Sequence, residues 1–164
     1  MSRLDSFIRR LEAQRSCLGD AARRTQKLNG VALELGLGNG RTFDHLREIC
    51  AGREIYVFDR QVAAHPDCIP APDRLFLGDF TATLNEARQR LGDGAAALIH
   101  VDLGSGDAAA SIALAARLAP EIAALMTAGA VVISDQPIGH ASLVALPLPE
   151  GVRPGRYFMA EKQP

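Results

Sequence analysis

Read for hydrophobic spacing alone, the chain separates into short apolar runs and longer segments with helical periodicity. Leu4, Phe7, Ile8, Leu11 and Arg15 recur at helical spacing, with Arg9, Arg10 and Glu12 off that face, so residues 2–28 predict one or two helices. Gly19-Asp20 is the expected break, Asp20 then capping a second helix that ends at Asn29-Gly30. The expected place of this segment is the edge of a sheet, with a lid over a bound ligand as the alternative. Val31–Leu35 is almost continuously apolar, as befits a strand buried on both faces. A helix follows from about Arg41 to Cys50, closed at Ala51-Gly52. Arg53–Phe58 reads as the second strand and ends in Asp59. Pro66, Pro70 and Pro72 break helix formation, so residues 60–73 are expected to form a loop. Arg74–Leu77 is a short third strand, 82–91 a helix and Ala95–Val101 a fourth strand. A long helix begins at Asp107, with a restart expected at Pro120 and an end at Gly129. Ala130–Ser134 is the fifth strand. Ser142–Leu148 and Arg156–Ala160 read as a closing hairpin.

Strands that alternate with helices predict an α/β protein with a doubly wound, mostly parallel sheet. Its length of 164 residues suits a single domain, with a helical segment over 1–29 leading into a core over 30–164. Composition changes the picture in a few places. A formal net charge of −1 gives no global basic field for nucleic acid or an anionic membrane. Aromatic residues make up 5% and Trp is absent, which disfavours a stacking platform for single strands. Cys17, Cys50 and Cys68 have neither disulfide-like nor zinc-like spacing, so free thiols in a reducing cytoplasm are expected. The N-terminus lacks the apolar stretch of a secretory signal. The alanine-rich run 108–119 carries Arg117 and stops at Pro120, so it is read as too short and too interrupted for a membrane span.

The candidate chemistry centres on Val31-Ala32-Leu33-Glu34-Leu35-Gly36-Leu37-Gly38-Asn39-Gly40-Arg41-Thr42. A strand, a glycine turn and a helix in that order let a ligand lie close to backbone. In a dinucleotide fingerprint the third glycine would fall where Arg41 stands. Here it comes one residue earlier, at Gly40, and Glu34 precedes the first glycine by two. Acidic-x-Gly-x-Gly-x-Gly resembles motif I of the class I S-adenosylmethionine (AdoMet) methyltransferases. The resemblance implies a Rossmann-like, seven-stranded sheet of order 3-2-1-4-5-7-6 with an antiparallel C-terminal end. It also implies that Gly36, Gly38 and Gly40, with Leu35, Leu37, Asn39 and Thr42 around them, carry the methionine half of the cofactor. Glu34 would help bind its amino end. Asp59, with Arg60 beside it, closes the second strand next to the glycine loop, where a carboxylate accepts ribose hydroxyls. Gly78, Asp79 and Phe80 match the family's adenine contacts, and Asp79 also suits a helix cap. Asp102 completes the cofactor set at the end of the fourth strand.

The implied reaction is direct, in-line methyl transfer to a small-molecule acceptor, with positioning as the protein's main contribution. No base-flipping Asn-Pro-Pro-Tyr-type motif follows the fourth strand, and the 164 residues leave no room for a separate recognition domain. Asp102, Asp135 and His140 are the candidate catalytic residues, His140 as a proton acceptor in the loop after strand five. His100, on a covered strand face, is expected to be a core histidine. Asp102 with Asp135-Gln136 also resembles the metal-holding acids and amide of catechol-type O-methyltransferases. Gln136 stands where that subfamily has Asn, which displaces the amide by ~1 Å, so no metal is assigned. A homo-oligomer is expected, since a second subunit often completes an open site. The competing readings are a catalytically silent AdoMet-binding interaction protein and an NAD-dependent oxidoreductase.

Overall fold

A computed structural model describes residues 2–104 and 106–164. Its order is α1 (Arg3–Thr25), β1 (Val31–Leu35), α2 (Arg41–Ile49), β2 (Ile55–Asp59), β3 (Leu75–Leu77), α3 (Phe80–Leu91), β4 (Ala96–Val101), α4 (Ala108–Leu125), β5 (Met126–Ser134), β6 (Leu143–Ala145) and β7 (Phe158–Lys162). The strands form one seven-stranded sheet, β3-β2-β1-β4-β5-β7-β6. β1 to β5 pair in parallel, and β7 runs antiparallel to both β5 and β6.

Strand alternation sorts side chains onto two faces. Leu33, Leu35, Phe58, Ile99, Val101 and Val132 pack with Leu84 of α3 and Leu118 and Ile122 of α4. Ala32, Val57, Leu98, Val131 and Ile133 pack with Cys17 and Leu18 of α1 and Leu46 of α2. Burying each such Leu or Ile contributes about 1.5–3 kcal/mol. This two-sided burial explains why the strand sequences are continuously apolar.

Several expectations are corrected. The first helix is unbroken through Gly19-Asp20. Asp20 pairs with Arg23 and Arg24 one turn on, instead of capping a new helix. Ser2 and Asp5 form a capping box that starts the helix. The helix lies on the middle of the sheet, against β4 and β5, and not at its edge. Its buried face carries Gln14, Cys17, Leu18 and Ala21, whereas Leu4, Phe7 and Ile8 are exposed at 65%, 47% and 44%. The fourth helix runs through Pro120. Pro120 and Ala116, whose carbonyl loses its intrahelical partner, both face solvent, which satisfies that group. The helix ends at Leu125, and Gly129 (φ +79°) lies inside β5 where the register with β4 shifts. With 18 residues, α4 is long and apolar enough to cross a membrane by length and composition. Its apolar residues Ala115, Leu118, Ala119 and Ile122 are buried in the core. The proline-rich stretch holds only two 3-10 turns, Pro66–Cys68 and Pro72–Arg74, as its prolines dictate.

Candidate active site

The C-terminal ends of β1, β2 and β4 open into a cleft of about 780 Å³. This is the side on which open parallel sheets bind ligands. Each of the three glycines there answers a different constraint. Gly36 joins the sheet, donating its N–H to Phe58 O at 2.8 Å. At its φ of +99° a side chain is strained, and a methyl would overlap the Asp102 carbonyl oxygen. Gly38 borders the cleft, and nothing lies within 4 Å of where its side chain would stand. Gly40 backs onto the proline-rich loop, where a methyl would overlap Cys68. So the middle glycine gives a ligand room, and the outer two let chain segments touch.

Asp59 closes β2 and ties this loop down. Its Oδ2 accepts from Gly38 N–H at 3.0 Å and its Oδ1 from Arg60 N–H at 2.6 Å. Asp59 and Arg60 border the cleft, as do Leu37, Asn39, Thr42 and Phe80. Asp79 caps α3 through Thr81 N–H at 2.9 Å. That hydrogen bond, with the Thr81 hydroxyl and the nearby Arg117 and Arg60, holds its carboxyl below the usual range. Among the described residues that border the cleft, Glu34, Leu35, Gly40, Gly78 and Asp79 are not found.

Glu34 lies beneath the loop, fully buried. It faces His100 across the β1–β4 pairing, on the face covered by α1. Its Oε2 is 2.7 Å from His100 Nδ1, and Thr42 Oγ1 donates to its Oε1. His100 Nε2 lies 3.4 Å from Gln14 Nε2, which also donates to Asp102 Oδ2 at 3.4 Å. The Tyr157 ring stacks on His100, with centroids 6.3 Å apart. Burial alone would lower the His100 pKa. The Glu34 carboxylate, with Asp102 and Asp135, overcomes that and raises it above the ordinary 6.5. His100 is thus a core histidine with a buried acid as its partner. The carboxylate expected at the cofactor's amino end is already engaged by Thr42 and His100, and the link to α1 runs through Gln14.

The far side of the cleft is built differently. Asp102 borders it, with Arg10 Nη2 at 3.6 Å from Oδ2. Asp135 sits behind, accepting from Leu103 N–H at 2.9 Å and from Gln136 at 3.4 Å. Burial, then the neighbouring Asp102, pushes its carboxyl above the usual range, while Leu103 N–H opposes them. A methyl on Gly104 would stand 3.3 Å from Asp135 Oδ2 and 3.6 Å from Asp102 Oδ1, so the two acids flank one point. Gln136 spends its amide on Asp135, and no group of three His, Cys, Asp or Glu suited to a metal occurs among the described residues. His140 is exposed and bonded to Ser142 Oγ at 2.8 Å. Neither His140 nor Asp135 is among the described residues bordering the cleft.

Two helices wall the cleft: sequence reasoning missed the α4 wall and had α1 there only as the alternative to a place at the sheet edge. Phe7, Arg10, Leu11 and Gln14 of α1 border the cleft, as do Ala110, Ala113, Leu114 and Arg117 of α4. Both sets follow the i, i+3, i+4, i+7 rule of one helix face. The spacing was visible in the chain, but nothing in it told a cleft face from a core face.

Comparison with known proteins agrees with this architecture. The profile of an S-adenosyl-L-methionine methyltransferase family matches residues 1–162. The crystal structure of an S-adenosyl-L-methionine methyl transferase from Silicibacter pomeroyi DSS-3 is 42% identical, with a TM-score of 0.93 over 99% of this chain and 99% of that one. TrmN from Thermus thermophilus gives a TM-score of 0.60 at 14% identity, over 88% of this chain and 48% of its own. An rRNA methylase from Streptococcus thermophilus gives 0.52 at 14% identity, over 89% of this chain and 94% of its own. At that identity the last two share the fold alone. No curated protein matches the sequence.

Proposed function

The chain belongs to the S-adenosyl-L-methionine methyltransferases, and from that premise we propose that it methylates a small-molecule acceptor by direct in-line displacement in the cleft above β1, β2 and β4. One observation carries the assignment of the cleft: the open side of Gly38, the Asp59 carboxylate, Phe80 and Asp102 all border the same space. When bound, the cofactor would supply an electrophilic methyl on a cationic sulfur, open to displacement by the acceptor's lone pair.

In this reading the chain's residues bind and orient. Gly36 to Asn39 and Thr42 line the methionine half, with Gly40 and Leu35 shaping the loop from behind. Glu34 acts through Thr42, holding its hydroxyl in place. Asp59 takes the ribose hydroxyls with lone pairs left over from its backbone contacts. Phe80 packs on the adenine beside Arg60, with Gly78 and Asp79 behind it, Asp79 capping the helix that Phe80 begins. Asp102, next to the cleft, is the group placed to accept a proton from an acceptor O–H or N–H. That assignment replaces His140, whose exposed loop position gives it no such reach. The chain's near-neutral charge and the two helices that wall the cleft support a small acceptor over a polynucleotide.

The test is transfer from methyl-labelled AdoMet into two pools, a filtered low-molecular-weight extract and total RNA. Label in the small pool alone is expected; label in RNA would overturn the small-molecule assignment. Cytoplasmic location and self-association belong to the same proposal. Sedimentation at working concentration tests the second, and a lone monomer would remove it.

A further inference from the structure

The cleft carries charge that the chain as a whole does not. The formal net charge is −1, yet Arg10, Arg41, Arg60 and Arg117 border the cleft against two carboxylates, Asp59 and Asp102. Four guanidinium charges against two carboxylates leave two in excess. Asp59 accepts from the backbone N–H groups of Gly38, Arg60 and Gln61 and keeps its charge. Asp102 accepts from Gln14 and faces Arg10. Among the described residues, the guanidinium groups of Arg41, Arg60 and Arg117 make no hydrogen bond or salt bridge. Arg60 and Arg117 feel Asp79 only through space. Three exposed guanidinium groups around one concave site focus a positive potential there.

The cationic sulfur of the methyl donor adds to that potential. A cationic acceptor would be repelled by both, and a neutral one would gain from neither. An anion is attracted by both. The walls add a second requirement. Phe7 and Leu11 of α1, and Ala110, Ala113 and Leu114 of α4, give each helix an apolar strip about 6 Å long. Arg10 lies within the α1 strip, and Arg117 ends the α4 strip. Pockets of this make-up, apolar walls with a few fixed charges, take small organic molecules.

We propose that the methyl acceptor is a small organic anion with an apolar body, bearing a carboxylate or phosphate monoester held by Arg41 and Arg117 while Phe7, Leu11 and Leu114 cover the body. The proposal rests on the reading of this cleft as the methyl-transfer site. It goes further by fixing the charge and shape of the acceptor.

The experiment uses the full chain saturated with S-adenosylhomocysteine, which fills the place of the donor's own carboxylate. Benzoate and phenyl phosphate, neutral benzyl alcohol, and cationic benzylamine are titrated by ligand-observed NMR. Either anion is expected to bind at least about ten-fold more tightly than benzyl alcohol, the worth of one charge-assisted hydrogen bond. Benzylamine is expected not to bind. Arg41→Gln or Arg117→Gln should each cost a comparable factor in anion affinity. Equal affinity for benzoate, phenyl phosphate and benzyl alcohol in the unmodified protein would overturn the proposal without any variant. So would anion binding untouched by both substitutions. Bulk tRNA that displaces the anions and binds far more tightly would also overturn it, pointing to a polyanion. Failure of S-adenosylhomocysteine itself to bind would instead strike the underlying assignment of the cleft, so the two failures are distinct.

Discussion

At the β1–β2 end of the cleft the glycine loop is set by contacts of the chain itself, with Asp59, Arg41 and Arg60 around it. The Gly38 N–H is fixed by Asp59, and the loop is held from behind by close contacts at Gly36 and Gly40. At the β4 end the walls are side chains carried on two helices. Arg10 and Gln14 reach in from α1 to Asp102, and Leu114 and Arg117 come from α4. An end set by chain geometry tolerates little change at its glycines. A side-chain-built end can be altered residue by residue without unfolding the sheet. We read this division as rigid donor binding beside an adjustable acceptor wall.

The sharpest way to break the comparison is at Gly38. Gly38→Val is expected to keep the fold at a backbone strain cost of roughly 1–3 kcal/mol, since Gly38 sits at φ +50° but open space surrounds it, and to lose S-adenosylhomocysteine binding in calorimetry. Gly36→Val is expected to fail in folding itself, since its side chain meets the Asp102 carbonyl at a positive φ. A Gly38→Val protein that binds normally would remove the loop from the site.

Next in size is the buried pair that joins the two ends. Glu34→Ala leaves His100 without its acid and should cost about 3–5 kcal/mol in denaturant unfolding; a loss under 1 kcal/mol would mean that the pair contributes little. The same pair carries a pH signature. The folded-state pKa of His100 lies above its ordinary 6.5, so its stabilising contribution is complete below that pH. The contribution is lost as pH rises through the folded value. The stability gap between the parent protein and His100→Asn should therefore shrink toward alkaline pH; a gap that widens would reverse the assigned direction.

Asp59→Ala should weaken AdoMet binding by about 1.5–3 kcal/mol, the scale for a charged hydrogen-bond partner, and an unchanged dissociation constant would take Asp59 out of the ribose site. The smallest effect is expected at Asp135→Asn. Its raised carboxyl pKa means that the ionised form is disfavoured in the fold. A neutral amide that still accepts from Leu103 N–H should stay within about 1 kcal/mol of the parent in unfolding free energy. A larger loss would show that the charge itself holds the Leu103 turn.

Legibility followed the same division. Gly36, Gly38 and Asp59 were candidates from the local pattern of strand, glycine turn and acid, Phe80 from the family resemblance, and all four border the cleft. Glu34 was found by the same motif, yet its burial under α1 was not, since the partners that engage it, His100 and Gln14, lie far away in the chain. Arg10 stands off the apolar stripe of Leu4, Phe7, Ile8 and Leu11, yet it borders the cleft, while Leu4 and Ile8 are exposed. Helical periodicity gives a stripe without saying where along it the sheet stops and the cleft begins. Pro120 and Gly129 misled for a related reason. A solvent-facing helix turn tolerates the proline, and a strand irregularity accepts the glycine.

By itself, then, the sequence determined the alternation of strands and helices, the strand order implied by its family pattern, and the glycine loop with Asp59 beside it. These depend on local chain chemistry and on connection rules between neighbouring elements. Only the tertiary structure decided that α1 covers the middle of the sheet, that Glu34 and His100 pair beneath it, and that arginines from three helices and a loop surround one cleft. Those are meetings of residues up to about a hundred positions apart, set by how faces pack and by which buried charges must find partners.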